Sequence, residues 1–277
     1  MKAFISAVGA AALCLTASAG RAAEVPAPRP RNSVTFETYA YSGTLNGQTT
    51  SVFAPALFAS FPLSERVSLN AAWLFAYAPS RGGAPASFQA GNPSIGPSVV
   101  LLDDAWKVRT GGGLVLPFTL LSDPDEQGSA LLRRAATLRG NSGFSLVAPG
   151  LLGFTPWADA ALRQGSFRFL VDFRVPMSAQ LSEKRGRRVD AVFQLSGTPA
   201  LDVHPNVLVG STFQAIYVAT AAEGSDPVFL AVIPSVRLHG RAGFIEARLT
   251  LNLDEPLGFA FSQDGIWALG MSLGTTF

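Results

Sequence analysis

The chain has 277 residues, of which 14% are charged and 48% hydrophobic, and its 21 Lys and Arg against 19 Asp and Glu leave a formal net charge of +2. So small a surplus excludes the electrostatic footprint of a nucleic-acid-binding protein. Mean hydropathy is +0.29, yet no run after Leu15 approaches the ~18 apolar residues of a membrane helix, and the single cysteine, Cys14, excludes a disulfide framework or a cysteine-built metal site.

The amino-terminal stretch reads as a secretory signal. Lys2 gives a positive start, Phe4 to Leu15 an apolar segment too short to span a bilayer, and Ala17-Ser18-Ala19 a small-residue cleavage site. Residues 1–22 are therefore expected to be removed, leaving 23–32 as a short periplasmic segment before a barrel over 33–277. Leu13 stands before Cys14 where lipid attachment needs a small residue, so no lipoprotein anchor is expected.

From residue 33 onward, segments of period-two hydropathy follow one another, the pattern of strands with one apolar face. Strands are expected over Ser33–Ser42, Thr49–Phe61, Arg66–Ala78, Pro93–Leu102, Ala105–Pro117, Phe144–Pro156, Ser166–Met177, Arg188–Thr198, Asn206–Ala219, Val228–His239, Ala242–Leu253 and Gly265–Phe277. Short links at Pro62–Glu65, Asp103–Asp104, Asp202–Pro205 and Gly240–Arg241 alternate with longer ones at Pro79–Asn92, Phe118–Gly143, Ala179–Arg187, Thr220–Pro227 and Asp254–Asp264. Outer-membrane barrels show this alternation, with short periplasmic turns and long extracellular loops. The link Trp157–Gly165 is long for a periplasmic turn. If Phe144–Ala161 belongs instead to an extracellular excursion, the count falls to ten; Arg163-Gln164-Gly165 reads as a turn either way.

The two parities of these segments differ in kind. Phe167, Phe169, Val171, Phe173 and Val175 oppose Arg168, Asp172 and Arg174; Ile245, Ala247, Leu249, Leu251 and Leu253 oppose Glu246, Arg248, Thr250 and Asn252; Val67, Leu69, Ala71, Trp73, Phe75 and Tyr77 oppose Ser68, Asn70 and Ala72. An arginine facing lipid at the bilayer midplane costs about 2–4 kcal/mol, so the charged parity is expected to face a lumen. A soluble two-sheet sandwich alternates similarly. The end of the chain argues for the barrel: Trp267, Leu269, Met271, Leu273, Thr275 and Phe277 form one parity of a terminal strand whose aromatic last residue, Phe277, resembles the assembly signal read by the barrel-assembly machinery. The fold expected is all-β: a transmembrane antiparallel up-and-down β-barrel of about twelve strands.

The long loop Phe118–Gly143 carries Leu131, Leu132, Ala135 and Leu138 at helical spacing beside Arg133, Arg134 and Arg139, which predicts a short amphipathic helix. Two positions suit it, folded into the barrel mouth or lying at the rim. The basic cluster Lys184, Arg185, Arg187 and Arg188 falls in another extracellular loop, where it meets either lipopolysaccharide phosphates or solvent.

Chemistry-bearing patterns are sparse. Barrel hydrolases need a nucleophile or activated water beside a positioned base, most often histidine. His204 lies in a short turn and His239 at the periplasmic end of a strand, on the parity of Arg237; neither has a partner spaced to face it on the extracellular side, so catalysis is not expected. Asp123, Asp125 and Glu126 lack the spacing of a calcium loop and read as a turn that starts the loop helix, acids favouring its N-terminus. No Lys-Ser or Lys-Thr follows Gly111-Gly112-Gly113, so it is no phosphate loop; glycines within a strand signal a bend or a close backbone approach. No metal or cofactor is expected. The remaining constellation is inward charge: Lys107, Arg109, Arg168, Asp172, Arg174, Asp190, Arg237, Glu246 and Arg248. These residues either line a polar passage that selects solutes by charge or pair across a narrow lumen and close it.

Gly91-Asn92-Pro93-Ser94-Ile95-Gly96, followed one hairpin later by Gly113-Leu114-Val115-Leu116-Pro117, resembles the Gly-Asp-x-x-Leu-Gly strand start and later Gly-x-x-x-Pro strand of the FadL-like group, which includes transporters described as belonging to meta-pathway phenol degradation. The resemblance implies an outer-membrane barrel passing small hydrophobic or aromatic molecules. Asn92 stands where the group has aspartate, and too few residues precede the first strand for the N-terminal hatch of the fatty-acid channels. The function expected is passive passage of a small-molecule solute, with outer-membrane lipid and lipopolysaccharide as surroundings. The alternative is a non-conducting structural or surface-interaction barrel; a barrel hydrolase is third.

Overall fold

Period-two alternation produces strands because it lets each segment present oil on one side while its backbone pairs on both edges, and only a closed sheet satisfies every such edge within a membrane. The computed structural model of the chain describes residues 32–45, 48–80, 86–119, 126–139, 144–147, 150–181, 189–220, 226–240, 242–253 and 267–276. They form a closed antiparallel barrel of 12 strands. In chain order these are β1 (Ser33–Leu45), β2 (Gln48–Phe53 and Ala56–Pro62), β3 (Val67–Ala78), β4 (Ser87–Ala90 and Ser94–Asp103), β5 (Trp106–Val115), β6 (Leu151–Gln164), β7 (Phe167–Arg174 and Met177–Gln180), β8 (Val189–His204), β9 (Val207–Val218), β10 (Val228–His239), β11 (Gly243–Asn252) and β12 (Trp267–Thr276). Two helices, α1 (Glu126–Leu138) and α2 (Phe144–Val147), lie between β5 and β6. The cylinder closes where β1 pairs with β12, from Ser33↔Thr276 to Ala40↔Leu269.

Facial assignment follows the alternation. On β12, Leu269, Met271 and Leu273 are exposed outward while Ala268, Gly270, Ser272 and Gly274 are buried inward. On β11, Ile245 is exposed and Glu246, Thr250 and Asn252 are buried. Aromatic rings gather at the ends of strands opposite the short turns: Trp73 with Phe75 at 4.8 Å and Phe118 at 5.3 Å, Phe75 with Phe88 at 5.8 Å, and Phe193 with Tyr217 at 6.4 Å. Such girdles mark the interfaces of membrane barrels.

The sixth strand corrects the sequence expectation. It runs over Leu151–Gln164, not Phe144–Pro156, so the presumed link at Trp157 lies within the strand, and the count stays at 12. Phe144–Val147 instead forms the helical turn α2, because Asn92 holds it: its amide donates to the Leu146 carbonyl at 2.6 Å and its Nδ2 to the Ser145 carbonyl at 3.3 Å. The Asn92 Oδ1 also accepts from the Thr119 amide and hydroxyl at 3.1 and 2.9 Å, and the Thr119 Oγ1 accepts from the Gly150 amide at 2.7 Å. A side chain on Gly91 would strike the Leu146 carbonyl oxygen, so the Gly-Asn pair that interrupts β4 is a dock for the loop. Gly150, at φ 71°, then turns the chain into β6, and Gly165, at φ 58°, makes the turn expected at Arg163-Gln164-Gly165. The eighth strand is also longer than expected, running through Pro199 to His204, so Asp202 belongs to a strand and not to a link.

Gly96 faces the backbone of Gly112 on β5 so closely that a Cβ would overlap the Gly112 carbonyl. Gly96→Val is therefore expected to prevent closure of the β4–β5 pair, visible as loss of the folded, heat-modifiable band on electrophoresis. Gly197→Ala, which would meet only the Phe169 ring at 3.9 Å, should keep that band.

Candidate functional site

The loop helix lies inside the cylinder. Leu131, Leu132, Ala135, Ala136 and Leu138 of α1 are buried against inward residues of β1 to β3 (Tyr39, Tyr41, Val52, Leu74, Ala76) and Ala268 of β12. Helical spacing collects these apolar side chains on one face, and the other face carries exposed Arg133 and Arg134. Of the two positions the sequence allowed, the helix takes the one within the barrel. It covers one side of the inner wall.

Its C-terminal end is tied down by charge. Arg139 Nη2 donates to Glu37 Oε2 at 2.6 Å, and its guanidinium stacks on Tyr39 at 4.8 Å and Phe58 at 5.6 Å. Glu37 also accepts from Arg248 at 3.2 Å; Arg248 in turn grips Glu246 through Nε at 2.9 Å and Nη2 at 3.0 Å, and donates to the Tyr39 hydroxyl at 3.3 Å. Arg237 completes the chain, donating to Glu246 from Nε and Nη2 at 2.9 and 2.6 Å. A continuous network thus runs from helix end to β1, β11 and β10. Networks of this kind fix position more than they add stability, because desolvation offsets much of the attraction.

A second network lines the wall away from the helix. Asp159 on β6 and Asp172 on β7 are register partners, two carboxylates side by side. Their repulsion is relieved by Arg109, which donates to Asp159 at 3.0 and 2.6 Å, and by Arg174, which donates to Asp172 at 2.7 and 3.1 Å. Nearer the short turns, Arg168 grips Asp202 at 2.8 and 2.7 Å, with Arg163 and His239 each 3.8 Å from the same carboxylate.

Of the nine inward residues named from the sequence, Arg109, Arg168, Asp172, Arg174, Arg237, Glu246 and Arg248 sit in these networks. Asp190 accepts from Thr220 Oγ1 at 2.7 Å, and Lys107 lies 3.5 Å from Asp103 at a short turn. Glu37, Asp159 and Asp202, the carboxylates that organise the networks, were not singled out by the sequence; parity alone marks Glu37, while Asp159 and Asp202 fell in segments read as links. His204 accepts from the Asn206 amide at 3.3 Å, within its turn. Lys184, Arg185, Arg187, Arg188 and Phe277, with the whole amino-terminal segment, lie outside the described residues. Among the described residues no group of three or more His, Cys, Asp or Glu could hold a metal ion.

Barrel closure, inward charge and an interior loop helix can be compared with solved structures. The chain is similar to an outer membrane channel from Pseudomonas putida F1, at 12% identity over 91% of this chain and 97% of that one with a TM-score of 0.58. It is also similar to the NanC porin, at 9% identity over 89% and 98% with a TM-score of 0.52. The chain has the fold of the bacterial outer-membrane β-barrels. Both neighbours are channels, and neither similarity is specific to the FadL-like group. No family model and no curated protein matches the chain.

Proposed function

We propose that this protein is a passive outer-membrane channel for small molecules, with the resemblance to phenol-pathway transporters pointing to hydrophobic or aromatic solutes. One observation supports passage above all: beside the helix, inward-facing Arg109 and Arg174 keep 46% and 49% of their side-chain surface uncovered even though protein surrounds Arg174, so the inner wall away from α1 leaves room for water. A fully packed interior would cover them. Removal of residues 1–22 on export, contact of Lys184, Arg185, Arg187 and Arg188 with lipopolysaccharide, and a role for Phe277 in barrel assembly belong to the same proposal.

The clamp between Arg139 and Glu37 favours one other reading, a barrel held shut by its own helix and serving as a surface or structural element. Planar-bilayer recording of the refolded protein separates the two. Discrete current steps are expected; a barrel that inserts and folds yet stays silent across the voltage range would overturn the channel reading.

A further inference from the structure

We propose that the passage is built for small anions, its inner wall forming a guanidinium track that recognises a carboxylate on the solute. This rests on the channel reading above, and an aromatic carboxylate satisfies both it and the solute class to which the family resemblance points. The described inner wall holds cations and anions in similar number, so a count of charge predicts little preference. Geometry breaks the symmetry. Arg109, Arg168, Arg174 and Arg237 are 32–49% exposed, whereas the carboxylates they grip, Asp159, Asp202, Asp172 and Glu246, are only 6–13% exposed. In every pair the carboxylate lies against the wall and the guanidinium covers it. A solute in the lumen therefore meets the positive end of each pair, and low-dielectric walls around a water-filled path concentrate that field.

The hydrogen bonding has the same polarity. All four arginines engage their carboxylates through Nε and Nη2. A guanidinium has five N–H donors in a planar fork, so each keeps its Nη1 edge for another acceptor. A planar carboxylate is the group that fits such an edge, by two parallel charge-assisted bonds. The planes of two guanidiniums are further set by aromatic rings, Arg109 over Trp157 at 5.9 Å and Arg237 over Phe244 at 4.3 Å.

The track also has length. Arg168 stands beside the short turn that begins β7, and Arg174 is the last residue of that strand's first segment. At about 3.3 Å per residue the two are separated by ~20 Å along the strand, which at a tilt of ~40° is ~15 Å along the axis, more than half of the ~25 Å apolar band of such a barrel. Successive arginines then offer an anion several weak sites in series, which conduction requires. Across from them, the face of α1 turned from the wall exposes Arg133 and Arg134.

The experiment is a reversal-potential measurement on single channels of the full protein in a KCl gradient, repeated in potassium acetate to read carboxylate passage. The result expected is a reversal potential of the anion's sign in both salts. Arg109→Gln and Arg174→Gln should move it towards zero. Should these variants fail to assemble, Arg163→Gln removes a cation that is 70% exposed and only 3.8 Å from its partner, and should give a smaller shift in the same direction. A wild-type reversal potential at zero or of potassium's sign would overturn the anion track while leaving the channel intact. Chloride passage without acetate passage would overturn carboxylate recognition. Absence of current steps overturns both readings together.

Discussion

Glu37→Gln is expected to raise the time-averaged current through the reconstituted channel and to expose the loop between β5 and β6 to protease, while the barrel keeps its heat-modifiable band. Glu37 is the carboxylate shared by Arg139 at the helix end and Arg248 on the wall. Removing one member of a buried ion pair costs about 3–5 kcal/mol, because the partner's charge is left without compensation. Arg248 keeps Glu246, so the change falls mainly on Arg139, which keeps its stacking on Tyr39 and Phe58 and loses the Glu37 carboxylate. The apolar hold on α1 is of comparable size: Leu131, Leu132 and Leu138 each contribute about 1.5–3 kcal/mol by burial. Loss of the clamp is thus large enough to populate a released helix and too small to expel it permanently. Frequent transitions to a higher conductance level are the expected record. Unchanged current in a folded Glu37→Gln channel would show that the clamp does not hold the helix across the path.

The second large effect separates the two faces of one strand. Phe213, at the middle of β9, is 55% exposed on the outer face, and its neighbour Thr212 points inward, sharing a hydrogen bond with Thr198 at 2.8 Å. Phe213→Arg should lower the unfolding free energy in lipid by about 2–4 kcal/mol, the cost of a cation at the bilayer midplane. Thr212→Arg should lose far less, since lumen water solvates the new charge, and should narrow the passage instead. Urea titration of the folded band in liposomes reads the first difference and single-channel conductance the second. Equal destabilisation by both substitutions would contradict the facial assignment.

Strand positions were legible from sequence where hydrocarbon on one side and water on the other enforce a period of two. In β12 that contrast is sharp, Leu269, Met271 and Leu273 against Gly270, Ser272 and Gly274, and the strand Trp267–Thr276 lies within the expected Gly265–Phe277. In β6 it is blurred, because Trp157 and Asp159 face inward while Ala158 and Ala160, scarcely more apolar than a turn, face lipid. The helix was legible and its location was not, since one apolar face serves equally at a rim or against a wall. A signal was present nonetheless: Trp73-Leu74-Phe75-Ala76-Tyr77 is apolar on both parities, and a strand oily on its inner face needs something to cover it. The ion pairs were not legible at all. Whether Arg109 meets Asp159, or Arg168 meets Asp202, depends on the register between strands, which hydropathy within a strand does not encode.

Hydrocarbon outside this cylinder and water inside it beside the helix are two environments that a single strand meets on alternate residues. Spin labels placed one at a time along β8 test that directly, because this strand lies away from α1. Labels at Phe193 and Leu195 are expected to relax faster with lipid-dissolved oxygen, and labels at Ser196 and Thr198 with a water-soluble nickel chelate. Labels at Ser196 and Thr198 that reach neither reagent, or reach oxygen alone, would contradict it.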